Sequence, residues 1–350
     1  MFELFTQALD FGITAGFPVS AAFGMRAQLG GGQGGGGQQD QNEHGSSHDK
    51  MPVIGYCQYS QVIIPYPFLP RFAMFVRIPL LLRVPLIYLL IAANTLIRVS
   101  VLLLCALFKA MLPIRLLQQI LDGWIIGLAE AWIGFNSWMM DHMTTLQVHF
   151  REDAVLDPQG HYLVLSNHQS WVDILVLQKV FNKRIPFMRF FLKKELFWVP
   201  MLGLAWWALD FPFMQRHSKS QLQKRPELAG QDIVATRKAC EKFLGKPVSI
   251  MIFPEGTRFT PHKHAQQQSP LAALLKPKSG GMAYALDAMG QGLHAILDVT
   301  LHYPHGIPGM ADLIADRIKH VHVDVRLRPI PDALRAGDYE NDRAFRAQFQ

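Results

Sequence analysis

Hydrophobic and polar positions divide the chain into three unlike stretches. Over residues 1–73 apolar residues show no sustained period, and the run Gly30 to Gln39 passes into a wholly polar segment from Asp40 to Lys50. Such a segment cannot bury enough apolar surface to offset its ordering entropy, so residues 1–73 are expected to be disordered. The opening 23 residues are moderately apolar but begin Phe2-Glu3 and lack a basic n-region, which argues against a secretory signal. From Val84 to Phe108 the chain is nearly continuous hydrocarbon, broken by Arg98. A helix of that length spans about 37 Å, enough for a hydrocarbon core of roughly 30 Å. Arg98 costs ~3 kcal/mol at mid-membrane, whereas the fifteen Leu, Ile, Val and Phe residues at ~0.5 kcal/mol each return roughly 7. Insertion therefore wins, as a span or as a bent helix pair lying in one leaflet.

Leu116 to Met140 continues with a helical pattern carrying Trp124, Trp132, Phe135 and Trp138. It reads either as an interfacial helix on lipid headgroups or as a core helix of the domain after it. After Asp141 the pattern turns globular. Strand-like runs at 162–165, 248–253, 295–301 and 321–327 alternate with helical stretches at 171–180, 231–243 and 281–289. Strands separated by helices imply an α/β domain, a layered and mostly parallel sheet flanked by helices, preceded here by a membrane-embedded helix or helix pair. The expected division is 1–73 disordered, 74–140 anchoring and interfacial helices, and 141–350 the α/β domain.

Composition sharpens the membrane reading. The chain is 50% hydrophobic and only 17% charged, with a formal charge of +7 that would suit any polyanion. It carries no basic stripe of the kind a nucleic-acid groove needs, so the apolar content favours anionic lipid as partner and excludes nucleic acid. Cys57, Cys105 and Cys240 are odd in number and far apart, which excludes a disulfide framework and a zinc motif. Flanking basic residues are nearly balanced, Arg71, Arg77 and Arg83 before the apolar run against Lys109 and Arg115 after it, so they leave orientation open.

The chemistry concentrates in two runs. Ser166-Asn167-His168-Gln169-Ser170-Trp171-Val172-Asp173 comes after a buried strand, and Phe253-Pro254-Glu255-Gly256-Thr257-Arg258 after another. His168 and Asp173 would lie about 140° apart on one continuous helix, so His168 belongs in the turn before a helix and Asp173 in its first turns. A carboxylate so placed takes the proton of one imidazole nitrogen and leaves the other free as a general base. A competing reading makes Ser170 an N-cap with Asp173 at the third position. In the second run Gly256 permits close backbone approach and the fork of Arg258 suits phosphate oxygens, although a surface turn with a solvated arginine has the same residues.

Asn167-His168 with Asp173 resembles the H-x-x-x-x-D signature, and Phe253 to Arg258 the F-P-E-G-T-R signature, of the glycerolipid acyltransferase family, which includes 1-acyl-sn-glycerol-3-phosphate (lysophosphatidic acid) acyltransferases. The resemblance covers about residues 150 to 305. Lys193-Lys194-Glu195-Leu196 and Pro200-Met201-Leu202-Gly203 resemble the family's K-E-L and P-x-x-G stretch, and Phe213 to Arg216 a segment ending in an acceptor-pocket arginine. Lys276-Pro277-Lys278-Ser279-Gly280-Gly281 is similar to a bacterial subgroup related to lysocardiolipin-type acyltransferases. One departure stands out: Leu297-Asp298-Val299-Thr300 replaces the usual V-P-V-like strand end.

The resemblance implies transfer of a fatty acyl chain from a thioester, acyl-CoA or acyl-carrier protein as co-substrate, to the sn-2 hydroxyl of lysophosphatidic acid, giving phosphatidic acid. His168 is then the general base and Asp173 its orienter. Arg258, Lys194 and Arg216 face the acceptor phosphate, Glu255 fixes a neighbouring hydroxyl or the arginine, and Gly256 and Thr257 complete the site, with backbone near Gly256 as oxyanion donor. No cofactor or metal is implied. His262-Lys263-His264 and His320-Val321-His322 have ligand-like spacing but no third ligand beside them in sequence. No G-x-S-x-G elbow supports a serine nucleophile. The implied location is a membrane, the bacterial inner membrane with the catalytic domain on its cytoplasmic face. Remodelling of another lysophospholipid, such as lysophosphatidylglycerol or lysocardiolipin, by acyltransfer or transacylation, and lipid hydrolysis, use the same His and Asp.

Overall fold

The computed structural model describes residues 75–214, 240, 242, 243, 246–278, 280–289, 292–335, 342, 344 and 345. The segment expected to be disordered, Arg216, and most of the helix expected over 231–243 lie outside the described residues.

The apolar run forms α1, Leu80–Met111, and the aromatic stretch forms α2, Arg115–Met143. The three-residue link contains Pro113, whose ring cannot continue a helix, so the chain reverses and the two helices pair antiparallel. Polar groups bridge them. Asn94 Nδ2 donates to Trp132 O (3.3 Å) and Asn136 Oδ1 (3.2 Å), while Arg98 Nε donates to Asn94 Oδ1 at 2.7 Å. Lys109 pairs with Asp122 beside the link. The charge interrupting the apolar run is thus tied into a hydrogen-bonded group on the helix-pair seam, the arrangement that lowers the cost of a polar residue in an apolar setting. Among the described residues, α1 is the one helix long and apolar enough to cross a membrane. Its outer face bears exposed Leu82, Leu89, Leu96, Ile97, Leu104 and Leu107. α2 has an exposed and a buried side: Trp124 is exposed, whereas Ile125, Ala129 and Ile133 are buried, and Asn182 Nδ2 reaches back to Glu130 O at 3.2 Å.

The rest is a layered α/β domain. In chain order it comprises β1 (Gln147–Glu152), β2 (His161–Ser166), α3 (Val172–Phe181), β3 (Met188–Phe190), β4 (Leu192–Lys193), a 3₁₀ turn (Lys194–Trp198), α4 (Leu202–Ala208) and β5 (Phe213–Met214). Then come β6 (Val248–Ile252), α5 (Pro261–Gln267), α6 (Gly280–Met289), β7 (Ala295–His302), α7 (Met310–Ile314) and β8 (His320–Pro329). The six-stranded sheet has the order β1-β8-β7-β2-β6-β3, parallel throughout except for the β7–β8 pair. β4 and β5 pair separately.

Alternation along the strands feeds two cores. Val164, Met251 and Leu297 pack on the face covered by α3, with Val172, Val176, Leu177 and Val180. Leu163, Ile250 and Ile296 pack on the opposite face, with Ala283, Leu286 and Met289 of α6. β1 escapes a hydrophobic-run reading because it is an edge strand whose outward positions carry His149 and Arg151. At the departure from the family pattern, β7 runs unbroken and Asp298 pairs with Arg328 at 2.7 Å on the exposed side.

The Pro200-Met201-Leu202-Gly203 stretch forms a tight backbone device. Met201 has φ 62° and ψ −47°, and Leu202 N donates to Pro200 O at 2.7 Å, a strained three-residue γ-turn that launches α4. A Cβ on Gly203 would lie 1.8 Å from Phe197 O, a backbone atom with no freedom to retreat, whereas at Gly127 nothing lies within 4 Å. Gly203→Ala is therefore expected to destabilise the protein by about 1–3 kcal/mol. Gly127→Ala, in an exposed helical position, should be neutral or gain up to ~1 kcal/mol. Thermal denaturation of the two variants checks this, and equal melting shifts would refute the close approach at Gly203.

Candidate active site

β2 and β6 are parallel neighbours with Leu165 opposite Ile252, so the chain leaves both strands side by side at the same edge of the sheet. That register brings the two motifs together, at the carboxyl ends of strands where α/β sheets place ligands. Asn167 extends the pairing one residue further. Its amide accepts from Leu301 N (2.8 Å) and donates to Leu301 O (2.9 Å), standing in for a strand residue on β7.

His168 lies in the turn and is 8% exposed; Asp173 lies in the first turn of α3 and is fully buried. Imidazole Nδ1 is 2.9 Å from Asp173 Oδ2. The same carboxylate oxygen accepts from Gln169 N (2.6 Å) and Ser170 N (2.8 Å), and Oδ1 accepts from Tyr303 Oη at 2.7 Å. A buried carboxylate is stable in this way because hydrogen-bond donors replace its lost hydration. Ser170 Oγ meanwhile accepts from Val172 N at 3.0 Å. The capping bond and the imidazole contact of Asp173 therefore coexist. One oxygen takes the Ser170 N–H as a capping carboxylate does, and the same oxygen holds the imidazole.

The second motif grips the backbone of the first. Glu255, 4% exposed, accepts from His168 N through Oε1 (2.9 Å) and from Leu275 N through Oε2 (2.9 Å). Phe259 N donates to His168 O at 2.7 Å. Both polar backbone groups of His168 are thus held by residues just after β6. Glu255 therefore has a backbone-holding role beside the one expected for it, with each of its oxygens accepting one backbone N–H. Gly256, at φ 66°, closes its turn by donating its N–H to Phe253 O at 2.9 Å, so that group is not a free oxyanion donor. The Phe253 ring stacks on the imidazole with centroids 3.9 Å apart and 14° between planes.

A basic cluster flanks the imidazole. The Arg258 guanidinium carbon sits 4.6 Å from the Trp171 ring centroid, and Trp171 meets His168 edge-on at 6.5 Å. Lys263 Nζ donates to Thr257 Oγ1 (2.8 Å) and Arg258 O (3.2 Å), and the Lys278 side chain lies over Gly256. Burial, with the positive charges of Arg258 and Lys278, holds the Lys263 ammonium below the usual lysine range. Three cations gathered at one turn form a site poised for an anion. Lys194 stands exposed at the start of the 3₁₀ turn. Arg216 is outside the described residues.

Sequence reasoning missed Tyr303, Phe253 as a stacking partner, Trp171 and Lys263. Tyr303 lies 130 positions from Asp173 and reaches it only because β7 pairs with β2. Burial first, and then the Asp173 charge and hydrogen bond, raise the Tyr303 phenol and keep it a donor. The density of basic residues after Arg258 was the available signal for Lys263 and Lys278.

The Acyltransferase family model matches residues 146–303. Lysocardiolipin acyltransferase 1 of Mus musculus is 24% identical over 234 residues, covering 62% of this chain and 59% of that protein. The 1-acyl-sn-glycerol-3-phosphate acyltransferase alpha of Mus musculus is 32% identical over 114 residues, 32% of this chain and 35% of that protein. The chain thus spans between about a third and three fifths of the length of these relatives. The crystal structure of the 1-acyl-sn-glycerophosphate (LPA) acyltransferase PlsC from Thermotoga maritima is similar with a TM-score of 0.47 and 16% identity, covering 77% of this chain and 92% of that one. The domain formed by residues 146–303, which contains both motifs and the strands that bring them together, belongs to the Acyltransferase family.

Proposed function

We propose that this chain transfers a fatty acyl group from an acyl thioester, acyl-CoA or acyl-carrier protein, to the sn-2 hydroxyl of lysophosphatidic acid. The observation that carries the reading is the buried His168–Asp173 pair at 2.9 Å with the guanidinium of Arg258 one indole ring away. An ionised carboxylate only accepts hydrogen bonds, so the imidazole proton sits on Nδ1 and the lone pair on Nε2. Nε2 takes the hydroxyl proton as the acceptor oxygen attacks the thioester carbonyl. Collapse of the tetrahedral intermediate breaks the C–S bond, and the imidazolium returns the proton to the departing thiolate. Asp173 stabilises the transient imidazolium, and Arg258 with Lys263 and Lys278 holds the acceptor phosphate. The apolar outer face of α1 attaches the chain to the bilayer that contains the acceptor, and no step calls for a metal or cofactor.

A second reading, a lysophospholipid acceptor with a larger headgroup, is favoured by the match to lysocardiolipin acyltransferase 1 over 62% of this chain. Assaying acyl transfer against a panel of lysophospholipids with both thioester donors separates the two. Thiol release without any acceptor would support hydrolysis and refute both.

His168→Ala is expected to lower turnover by at least ~10² to 10⁴ while the protein stays folded, because it removes the base and little packing. Asp173→Asn should lose turnover and stability together, since an amide presents donors to a nest of donors and permits the wrong tautomer. Turnover and melting temperature measured on the same preparations decide this, and a fully active His168→Ala protein would end the mechanism.

Arg258→Lys keeps the charge but loses the fork, so acceptor KM should rise by about tenfold or more while thioester KM is unchanged. A loss confined to the thioester would move Arg258 to the donor half of the site. Glu255→Gln offers one carbonyl oxygen to two N–H groups, which is expected to cost about 1–3 kcal/mol and to lower kcat through the loosened His168 turn. Unchanged stability by thermal denaturation would contradict that backbone role.

A further inference from the structure

On the half of the sheet farthest from β6, strands β1, β8 and β7 turn one face outward, and that face gathers histidines. The β1–β8 register sets His149 opposite His322, and the β7–β8 register sets His302 opposite the same residue. His320 lies two positions before His322 and therefore on the same face. His149 Nε2 is 3.1 Å from His320 Nδ1, and the His149 ring stacks on His322 with centroids 4.6 Å apart. His302 lies 6.1 Å from His322, and His305 lies 6.1 Å from His320, ring to ring. The nearest carboxylate on this face, Asp324, is taken up by Arg151 and Arg326. This surface has no part in the acyl-transfer scheme.

We propose that His149, His320 and His322 bind one divalent transition-metal ion of the zinc or cobalt class. In sequence the pair His320-Val321-His322 had spacing without a third ligand; the sheet supplies it from a strand more than 160 residues away. The nitrogen–nitrogen distance is that of a hydrogen bond in the metal-free protein and also suits two ligands of one ion. Two nitrogens 3.1 Å apart that each lie about 2.05 Å from a shared ion subtend about 98° at it, between the octahedral and tetrahedral values. Imidazole is the ligand type these ions favour over carboxylate-preferring magnesium or calcium. Among the described residues, no group of three or more His, Cys, Asp or Glu side chains is placed to hold a metal ion as it stands. Closure therefore uses the exposed ring of His322, which stacks beside the clamp and turns in solvent without disturbing the core. Solvent or His302 completes the shell. Bridging β1 to β8 would also pin a strand that, among the described residues, lies at the edge of the sheet.

The test uses the full-length protein in detergent, titrated with Co²⁺ and followed by visible ligand-field absorption, with Zn²⁺ competition by calorimetry. One saturable Co²⁺ per chain is expected, displaced by Zn²⁺, together with a rise in melting temperature caused by binding to the folded state. His149→Ala and His322→Ala should each weaken Co²⁺ binding roughly tenfold or more. His262→Ala combined with His264→Ala, at the other closely spaced pair, should leave it unchanged. Melting temperatures without metal report whether each variant is folded, and exposed positions are expected to tolerate alanine. Absence of saturable Co²⁺ absorption, or unaltered binding when His149 and His320 are both replaced by alanine, would overturn the proposal and leave a neutral imidazole pair sharing one proton.

Discussion

A carboxylate with no solvent exposure is the constraint around which this site is organised. Asp173 has lost its hydration, and the protein answers with donors from the imidazole, two backbone N–H groups and a phenol. Each donor comes at a structural cost. The backbone pair requires the chain to turn tightly between β2 and α3, and Tyr303 requires β7 to lie beside β2. The imidazole is then oriented by the same charge that satisfies the turn. Removing the carboxylate from this nest would undo the local fold and the tautomer together, so the stability of the turn and the orientation of the imidazole share one group here.

The second motif contributes more scaffold than its composition suggests. Glu255 and Phe259 hold the N–H and C=O of His168, and Phe253 stacks on its ring. A turn residue has few packing contacts of its own, and without these bonds the imidazole would sample several orientations; the productive one is held by its neighbours. The charged fork of the motif points to a different task. Arg258, Lys263 and Lys278 crowd like charges at one turn, an arrangement that is unfavourable alone and relieved by a bound anion.

The helix pair shows how the polar interruptions of an apolar run are accommodated. Arg98 reads in sequence as a penalty, and in the fold it joins Asn94, which reaches Trp132 and Asn136 of the facing helix. Apolar residues then make up most of the exposed face of α1, with Ser100 among them. The same pair connects to the catalytic domain through α3, where Asn182 and Lys179 bond to α2. The apolar segment and the chemistry are therefore mechanically continuous.

The features that the sequence determined by itself are those that depend on neighbours in the chain. The buried strand at Tyr162 to Leu165, the long apolar run, the turn position of His168 ahead of a helix and the two motifs were all legible, because backbone geometry converts spacing directly into direction. Tertiary structure alone decided the rest. That Glu255 clamps the backbone of His168 was not legible, since the register of β2 against β6 sets which N–H groups meet its carboxylate. Tyr303, absent from any local motif, became the fourth donor to Asp173 through strand pairing. β1 was invisible because an edge strand with histidine and arginine outward lacks the hydrophobic run of a buried one. For the same reason, the meeting of His149 with His320 and His322 depends only on which strands are neighbours, a long-range choice made by the burial of whole faces and not recorded at any single position.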